Sequence, residues 1–183
     1  IGHQYLIKEM IGIAKAQNTQ SVVLTFNPNP YVVLNNESQS SSHIINRSDK
    51  YRIFSEIGVD HVFDIPFTSE LSELRARSFL ENYIVGPFKP KVIVVGYDHH
   101  FGFRREGDSE FLKSHKNEFG YEVHNVDCFD LDGLDVSSSN IRSLLKKGSI
   151  EDVNRLINRK YSVTGKVIEG NRVGREINFP TAN

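Results

Sequence analysis

The chain has 183 residues, of which 38% are hydrophobic and 25% charged, and its formal net charge is -1. This is ordinary globular usage, with room for one domain and a little more. The near-zero charge excludes a global field that would draw the protein to nucleic acid or to an acidic membrane. The single cysteine, Cys128, excludes an intrachain disulfide and a thiolate metal cluster. With no signal peptide and no membrane-spanning apolar run in view, we expect a reducing, cytoplasmic location.

Helical and strand patterns alternate down to about residue 157. The helical spacing of apolar residues and the capping residues predict helices over 4–17, 48–57 (capped by Ser48), 69–85, 108–119, 138–147 and 150–157. Short apolar, β-branched runs predict buried strands over 21–26, 59–65, 91–95 and 121–126. After Tyr161 the pattern changes to alternation with glycine, which predicts antiparallel β structure at the start of a second domain.

The alternation of strands and helices predicts an α/β fold, a doubly wound, Rossmann-like parallel sheet with helices on both faces. Ligands in such folds bind beyond the carboxyl ends of the strands, so the segments that follow each strand carry the functional candidates. The sequence contains neither a P-loop nor a G-x-G-x-x-G motif, which argues against a P-loop enzyme and an ordinary NAD-binding domain.

The chain opens with a histidine, His3, in the first turn of the first predicted helix. This position lies among unpaired backbone N–H groups and at the positive end of the helix dipole, which makes it a natural phosphate site. A capping or surface histidine is the more frequent explanation of such a residue taken alone.

The segment FNPNP follows the first predicted strand and contains Phe26, Pro28 and Pro30. Its two prolines fix the backbone and leave few free N–H groups. The segment is either a stiff turn or a rigid wall for a planar ligand, and the local sequence alone favours the turn.

The segment VVGYDHHFGFRREGD includes the end of the third predicted strand. Gly96 allows a ligand to approach the backbone, Asp98 offers a hydrogen-bond acceptor, and Phe101 offers a stacking surface. The neighbouring His99 and His100 suggest a metal site at first sight. Adjacent strand residues point to opposite faces, however, and no spacing of a known site is present, so solvated histidines are the expected outcome.

The segment VSSSNIRSLL places Ser137, Ser138 and Ser139 at the start of a helix. Serine hydroxyls and backbone N–H groups at this position either cap the helix or hold phosphate. Arg142 lies four residues after Ser138 and therefore on the same helix face. Serine and arginine together make a clamp for pyrophosphate, and a capped helix with a surface arginine is an equally good local reading.

Taken together and in order, six segments resemble the bifunctional riboflavin kinase/FAD synthetase family of bacteria. The resemblance covers nearly the whole chain, and the agreement of six motifs in register is far more specific than any one of them. The segments are GHQ, LTFNPNP, GVDHVFDIPFTSEL, VIVVGYDHHFGFRREGD, VSSSNIRSLLKKGSIEDV and RKYSVTGKVIEGNRVGREINFPTAN.

The resemblance implies an FMN adenylyltransferase domain of the nucleotidyltransferase fold over residues 1–157, incomplete at its N-terminus. Residues 158–183 resemble the truncated beginning of a riboflavin kinase domain, an antiparallel β-barrel. The implied reaction converts FMN and Mg-ATP into FAD and pyrophosphate, and riboflavin phosphorylation is expected only of the intact protein. The expected substrates are therefore ATP, FMN and riboflavin, with Mg²⁺ as cofactor, no nucleic acid or membrane partner, and weak self-association left open.

The family's motifs carry roles onto particular residues of this sequence. The implied catalytic residues are His3, Asp98 and Arg142. The implied ATP and phosphate contacts are Gly2, His3, Ser137, Ser138, Ser139 and Arg142, and the implied flavin contacts are Phe26, Pro28, Pro30, Gly96, Asp98 and Phe101. Thr181 and Asn183 match the kinase motif that binds Mg-ATP, and no direct protein ligand to a metal is expected in the first domain.

Three positions depart from the family's pattern. Asn29 stands where histidine is common, His99 where an aromatic residue is common, and Asn178 where glycine is common. These departures leave open a flavin-binding regulator that has lost catalysis. A sibling nucleotidyltransferase with another phosphate acceptor is a further alternative, which the P-T-A-N tail disfavours.

Overall fold

The computed structural model describes residues 2–35, 44–127 and 137–168. The sequence candidates Asn178, Thr181 and Asn183 lie outside the described residues. In chain order the elements are α1 (Gly2–Ala16), β1 (Val22–Asn27), α2 (Pro30–Asn35), α3 (Arg47–Ile57), β2 (His61–Pro66), α4 (Ser69–Ser72), α5 (Ala76–Phe79), a π-helix (Leu80–Val85), α6 (Gly86–Phe88), β3 (Val92–Gly96), a 3₁₀ turn (Phe103–Arg105), α7 (Ser109–Phe119), β4 (Glu122–Val126), α8 (Ser138–Lys147) and α9 (Ile150–Ile157).

Helix ends follow the local sequence, with one correction. The predicted cap at Ser48 is wrong, because the side chain of Asn46 caps α3 by accepting from the Asp49 N–H at 2.8 Å. Gly58 ends this helix as predicted, in the left-handed conformation with φ of 96°. Asp108 caps α7 in the same way as Asn46 caps α3.

The strands pair in parallel, which confirms the α/β prediction in part. β1 pairs with β2 from Val22 opposite His61 onward, and β3 pairs with β4 from Val92 opposite Glu122 onward. The predicted single doubly wound sheet needs correction, since the described residues form two separate two-stranded sheets.

The backbone hydrogen bonds show which edges of the strands are left unpaired. Alternate residues of a parallel strand direct their N–H and C=O groups toward one neighbour, and the residues between them face the other side. The His61 N–H donates to the Ser21 carbonyl at 3.0 Å, and the Tyr97 N–H donates to the Val126 carbonyl at 3.1 Å. The main-chain groups that face away from the partner strands therefore belong to Val22, Leu24, Phe26, Val92, Val94 and Gly96. These edges of β1 and β3 line a common cleft, and within the described ranges the two strands are not paired with each other.

Within the described ranges, apolar side chains form three buried clusters. One lies between β3, β4, α7 and the π-helix and contains Leu80, Ile93, Val95, Leu112 and Tyr121. A smaller one joins β2 to α4 and α5 through Ile65, Leu71 and Phe79. The third joins α8 to α9 through Ile141, Val153, Leu156 and Ile157.

The predicted helix over residues 69–85 is interrupted, which is a second correction. α4 ends at Ser72, and α5 begins only at Ala76, because a loop docks between them. The Phe103 N–H donates to the Leu74 carbonyl at 2.8 Å, and the Ala76 N–H donates to the Glu106 carboxylate at 2.6 Å. The Leu74 carbonyl and the Ala76 N–H therefore bond to a segment about thirty residues away in sequence and do not form helical hydrogen bonds.

Two glycines allow this loop to approach α5. A Cβ atom at Gly102, where φ is 75°, would lie 2.6 Å from Ala76 Cα. A Cβ atom at Gly107 would lie 2.8 Å from the methyl group of Ala76. Ala76 itself is fully buried, so only glycine, which has no Cβ atom, fits where the loop contacts the helix.

The segment after α9 follows a left-handed cap at Asn158 and contains no strand through residue 168. The remainder of the predicted antiparallel region, 169–183, lies outside the described residues, so the start of a barrel stays a prediction. Within the described ranges, no helix combines the length and the apolar character needed to cross a membrane.

Candidate functional site

A cleft of about 2200 Å³ runs along β1 and β3 and includes their carboxyl ends. Eight residues singled out from the sequence line it: His3, Phe26, Pro30, Gly96, Asp98, Phe101, Ser138 and Arg142. Pro28, Ser137 and Ser139 are not among its lining residues, and of Gly2 only its place at the start of α1 is described. The structure thus brings together candidates from four widely separated segments of the chain.

The N-terminal turn of α1 faces the end of β3. A Cβ atom at Gly96 would lie 3.5 Å from the Leu6 side chain and 3.8 Å from the Asp98 carboxylate. Leu6 is one helical turn beyond His3, and the His3 side chain is exposed to the cleft. The histidine and the positive end of the helix dipole therefore lie on the side of the cleft where Asp98 offers its carboxylate.

The FNPNP segment forms a second wall. Phe26 packs edge-on against Phe67, with ring centroids 5.4 Å apart, and is tilted against Phe79 at 6.1 Å. Asn29 caps α2, because its side-chain oxygen accepts from the Tyr31 N–H at 2.9 Å. Pro30 is the first residue of this helix, where its missing N–H costs nothing.

Phe101 is more firmly built into the protein than a ligand-stacking residue on a free loop. Its ring lies 5.8 Å from Phe79 and 5.9 Å from Phe111, and its backbone forms a reciprocal bridge with Gly107. His99 stacks on the remaining side at 6.0 Å. The pKa of His99 is lowered, chiefly because the surrounding chain partly desolvates its ring, although the residue as a whole is exposed. The negative charge of Asp98 acts in the opposite direction.

The serine-rich helix start divides its hydroxyl groups between two tasks. Ser137 caps α8 by accepting from the Asn140 N–H at 3.2 Å. Ser138 and Arg142 line the cleft, as their shared helix face predicts. The guanidinium carbon of Arg142 lies 5.8 Å from the ring centroid of Tyr31, which links α8 to the first turn of α2.

Two cationic residues of α3 also line the cleft, and the sequence analysis did not select them. Arg47 forms an ion pair with Asp64 at 2.9 Å, and the Lys50 ammonium donates to the Thr25 hydroxyl at 2.9 Å. Burial lowers the pKa of Lys50, and the charge of Asp64 partly offsets that effect. The sequence feature that could have identified Arg47 and Lys50 is their spacing of three residues, which places both on one face of the helix that follows the FNPNP segment.

In the parts of the chain that the structure describes, no three His, Cys, Asp or Glu side chains are grouped to hold a metal ion. A magnesium ion is commonly held by one or two carboxylates together with substrate phosphates.

These features define an α/β domain with parallel strand pairs and a large cleft, lined by residues of the first helix, of the strand ends and of the serine–arginine helix. The chain belongs to the FAD synthetase family. The family model for FAD synthetase matches residues 1–140, and the model for riboflavin kinase matches residues 157–183.

Curated relatives carry both activities in their names. A bifunctional riboflavin kinase/FMN adenylyltransferase from Listeria monocytogenes is 36% identical over 183 residues, and the alignment covers all of this chain and 58% of that protein. A protein of the same name from Escherichia coli K12 is 28% identical over 182 residues, again covering all of this chain and 58% of the relative. The chain thus spans less than two thirds of the length of these relatives.

A solved structure agrees with the fold. A crystal structure described as a macrolide-efflux protein from Streptococcus pneumoniae superimposes with a TM-score of 0.83 at 31% identity. The match covers all of this chain and 59% of that one. The efflux role in that description belongs to that protein.

Proposed function

We propose that the intact protein transfers AMP from ATP to FMN, giving FAD and pyrophosphate. The observation that carries the proposal is that His3, Asp98 and Arg142, from three separate segments of the chain, all line one large cleft. The names of the curated relatives support the same chemistry.

The proposed step is an in-line displacement at the α-phosphorus of ATP. An FMN phosphate oxygen forms the new P–O bond, and the bond to the β-phosphate breaks with its electron pair leaving on pyrophosphate. The attacking oxygen is already anionic at neutral pH, so no strong general base is required. Positioning and charge stabilisation then provide the rate enhancement.

Within this proposal each side chain has one role. His3 stabilises negative charge on the ATP phosphates at the positive end of α1. Arg142 and Ser138 hold the departing pyrophosphate, and Asp98 orients FMN. The proposed flavin contacts that line the cleft are Phe26, Pro30, Gly96 and Phe101. Pro28, Ser137 and Ser139 do not line it, so their proposed roles, like the phosphate contact of Gly2, rest on the family resemblance alone.

Magnesium belongs to the same proposal. When bound to ATP, the ion neutralises phosphate charge and leaves the protein to supply orientation. Within the described ranges Asp98 is the carboxylate of the sequence candidates that faces the cleft.

We further propose that residues 158–183 begin the riboflavin kinase half, with Thr181 and Asn183 as Mg-ATP contacts. α9 ends at Ile157, and the riboflavin kinase family match begins at the same residue. Riboflavin phosphorylation would supply the FMN that the first domain consumes.

The test is incubation of the full-length protein with FMN, ATP and Mg²⁺, with FAD and pyrophosphate followed by chromatography. Equal amounts of the two products are expected. Binding of FMN and ATP with no release of pyrophosphate would replace the proposal with the flavin-binding regulator. A pyrophosphate signal with another acceptor alone would favour the sibling nucleotidyltransferase.

Arg142→Ala is expected to lower the turnover rate at least about tenfold, since one charge-assisted contact to the leaving group is lost. Arg155→Ala is the matched control, because Arg155 lies on α9, is exposed and pairs only weakly with Asp152 at 3.9 Å. Equal rates in the two variants would remove the pyrophosphate role from Arg142.

A further inference from the structure

Tyr31 lies directly against the arginine of the proposed pyrophosphate clamp. Its ring centroid is 5.8 Å from the guanidinium carbon of Arg142, within the range of cation–π attraction. Tyr31 is 48% exposed, so hydrophobic burial alone does not account for its position. Its contact with Arg142 joins two elements that are more than a hundred residues apart in sequence.

The backbone beneath Tyr31 is fixed by the FNPNP segment. The Tyr31 N–H donates to the Asn29 side-chain oxygen at 2.9 Å, and the Val32 N–H donates to the Asn29 carbonyl at 2.9 Å. Pro30, the residue before Tyr31, has a ring that locks its own φ. The first turn of α2 thus holds the tyrosine at a defined place on the wall of the cleft.

The chemistry of the contact suits the orientation of a phosphate-binding arginine. A guanidinium that lies over an aromatic face keeps its N–H donors at its edges, where phosphate oxygens bind. Arginine also loses much side-chain freedom when it is fixed by a ligand, and a partner that restricts it beforehand reduces this loss.

We propose that Tyr31 is a positioning residue, which orients Arg142 for the phosphate oxygens of the nucleotide or of pyrophosphate. The inference rests on the proposed function for the identity of the anion. It adds a role for α2, whose tyrosine acts through Arg142 without contacting the reacting atoms.

The size of the effect follows from the strength of the contact. An exposed cation–π pair changes an equilibrium by about two- to fivefold. Tyr31→Ala should therefore weaken the binding of pyrophosphate by about that factor. Tyr31→Phe keeps the aromatic face and should bind pyrophosphate as the unaltered protein does.

The experiment is calorimetric titration of the full-length protein with inorganic pyrophosphate. The variants are Tyr31→Phe, Tyr31→Ala, Arg142→Ala and the Tyr31→Ala/Arg142→Ala double variant. If Tyr31 acts through Arg142, its removal in the Arg142→Ala background should cause no further loss. Three results would overturn the inference: unchanged affinity in Tyr31→Ala, an equal loss in both backgrounds, or a loss in Tyr31→Phe as large as in Tyr31→Ala.

A parallel turnover assay separates the inference from the proposed function. With FMN and ATP as substrates, Tyr31→Ala should raise the KM for ATP and leave the KM for FMN unchanged. Failure of all variants, and of the unaltered protein, to make FAD would end the proposed function. The calorimetric pattern would still decide whether Tyr31 orients Arg142 for an anion.

Discussion

The two strand pairs of the protein are built by different means. The β3–β4 half surrounds a continuous apolar cluster, with Ile93 and Val95 buried in β3 and Leu112 buried on α7. In the β1–β2 half, every residue of β1 is at least partly exposed, and only Ile65 of β2 is buried. A smaller apolar cluster and specific polar contacts hold this half in place.

Ser21 and Asp60 form the most complete of these polar contacts. The Ser21 N–H and hydroxyl donate to the Asp60 carboxylate at 2.8 and 2.7 Å, and the Asp60 N–H donates to the Ser21 hydroxyl at 3.0 Å. The strand-end loop with Asp98 therefore adjoins the well-packed β3–β4 half. The FNPNP segment adjoins a half that has a smaller apolar cluster, around Ile65 and Phe79, and in which polar contacts carry more of the stability.

The largest expected effect is in the packed half. Leu112→Ala should lower the free energy of unfolding by about 2–5 kcal/mol, because it leaves a cavity beside a side chain that is 1% exposed. Leu24→Ala in β1 is the matched control and should cost roughly 1 kcal/mol, since its site is half-open already. Urea unfolding of the full-length protein measures both. Equal losses would mean that the two halves are equally well packed.

Ser21→Ala should cost about 1–3 kcal/mol, because it removes a buried hydroxyl and leaves acceptor and donor groups unpaired. The exposed Ser55→Ala variant should change stability little. The Ser21 N–H and hydroxyl lower the pKa of Asp60, so their stabilisation is present above the ordinary pKa of aspartate. It is lost as the pH falls through the lower pKa of the folded state. The free energy of unfolding, measured with urea at several pH values between neutral and pH 3, should therefore fall less steeply with pH in Ser21→Ala. An unchanged pH dependence would contradict this assignment.

Tyr121→Phe tests a polar contact inside the packed half. The Tyr121 hydroxyl donates to the Leu112 carbonyl at 2.9 Å, and its loss should cost about 1 kcal/mol. Burial, reinforced by the charge of Glu118, raises the pKa of Tyr121 to about 12. Its contribution is therefore complete below pH 10 and is lost as the pH rises toward 12. Unfolding measured at pH 9 and pH 11 should differ more in the unaltered protein than in Tyr121→Phe.

Arg77→Ala should have the smallest effect of these variants, because exposed ion pairs are screened by solvent. Arg77 pairs with Glu118 and Glu81 on the surface of the packed half. Thermal unfolding with and without 1 M salt measures the contribution. A loss as large as that of Ser21→Ala would contradict the view that burial decides the value of a polar contact here.

Local sequence patterns predicted much of the architecture. The helices over 138–147 and 150–157 have the predicted bounds, and Gly58 and Gly148 close their helices in the left-handed conformation. Short-range chemistry determines these features, so a single sequence contains the signal. The short helix α2 was missed, although Asn29 followed by Pro30 is a cap-and-first-turn signature that identifies it.

The features that the sequence did not reveal depend on distant contacts. The break between α4 and α5 requires Glu106 and Phe103, which reach it from the loop after β3. The division of the sheet depends on which strands become neighbours, which periodicity does not encode. Within the candidate site, His3 and Arg142 were selected from their places near helix starts and both line the cleft, whereas the contact of Tyr31 with Arg142 had no local signal.

The docking of Gly102 and Gly107 on Ala76 has a consequence for how the protein tolerates change. A library of all single substitutions would show these three positions as nearly invariant, although none of them is among the proposed substrate contacts. A methyl group at Gly102 would meet backbone atoms at 2.6 Å, and no rotamer change relieves such a clash. In a laboratory selection, these three positions would therefore vary as little as the residues that contact the substrates.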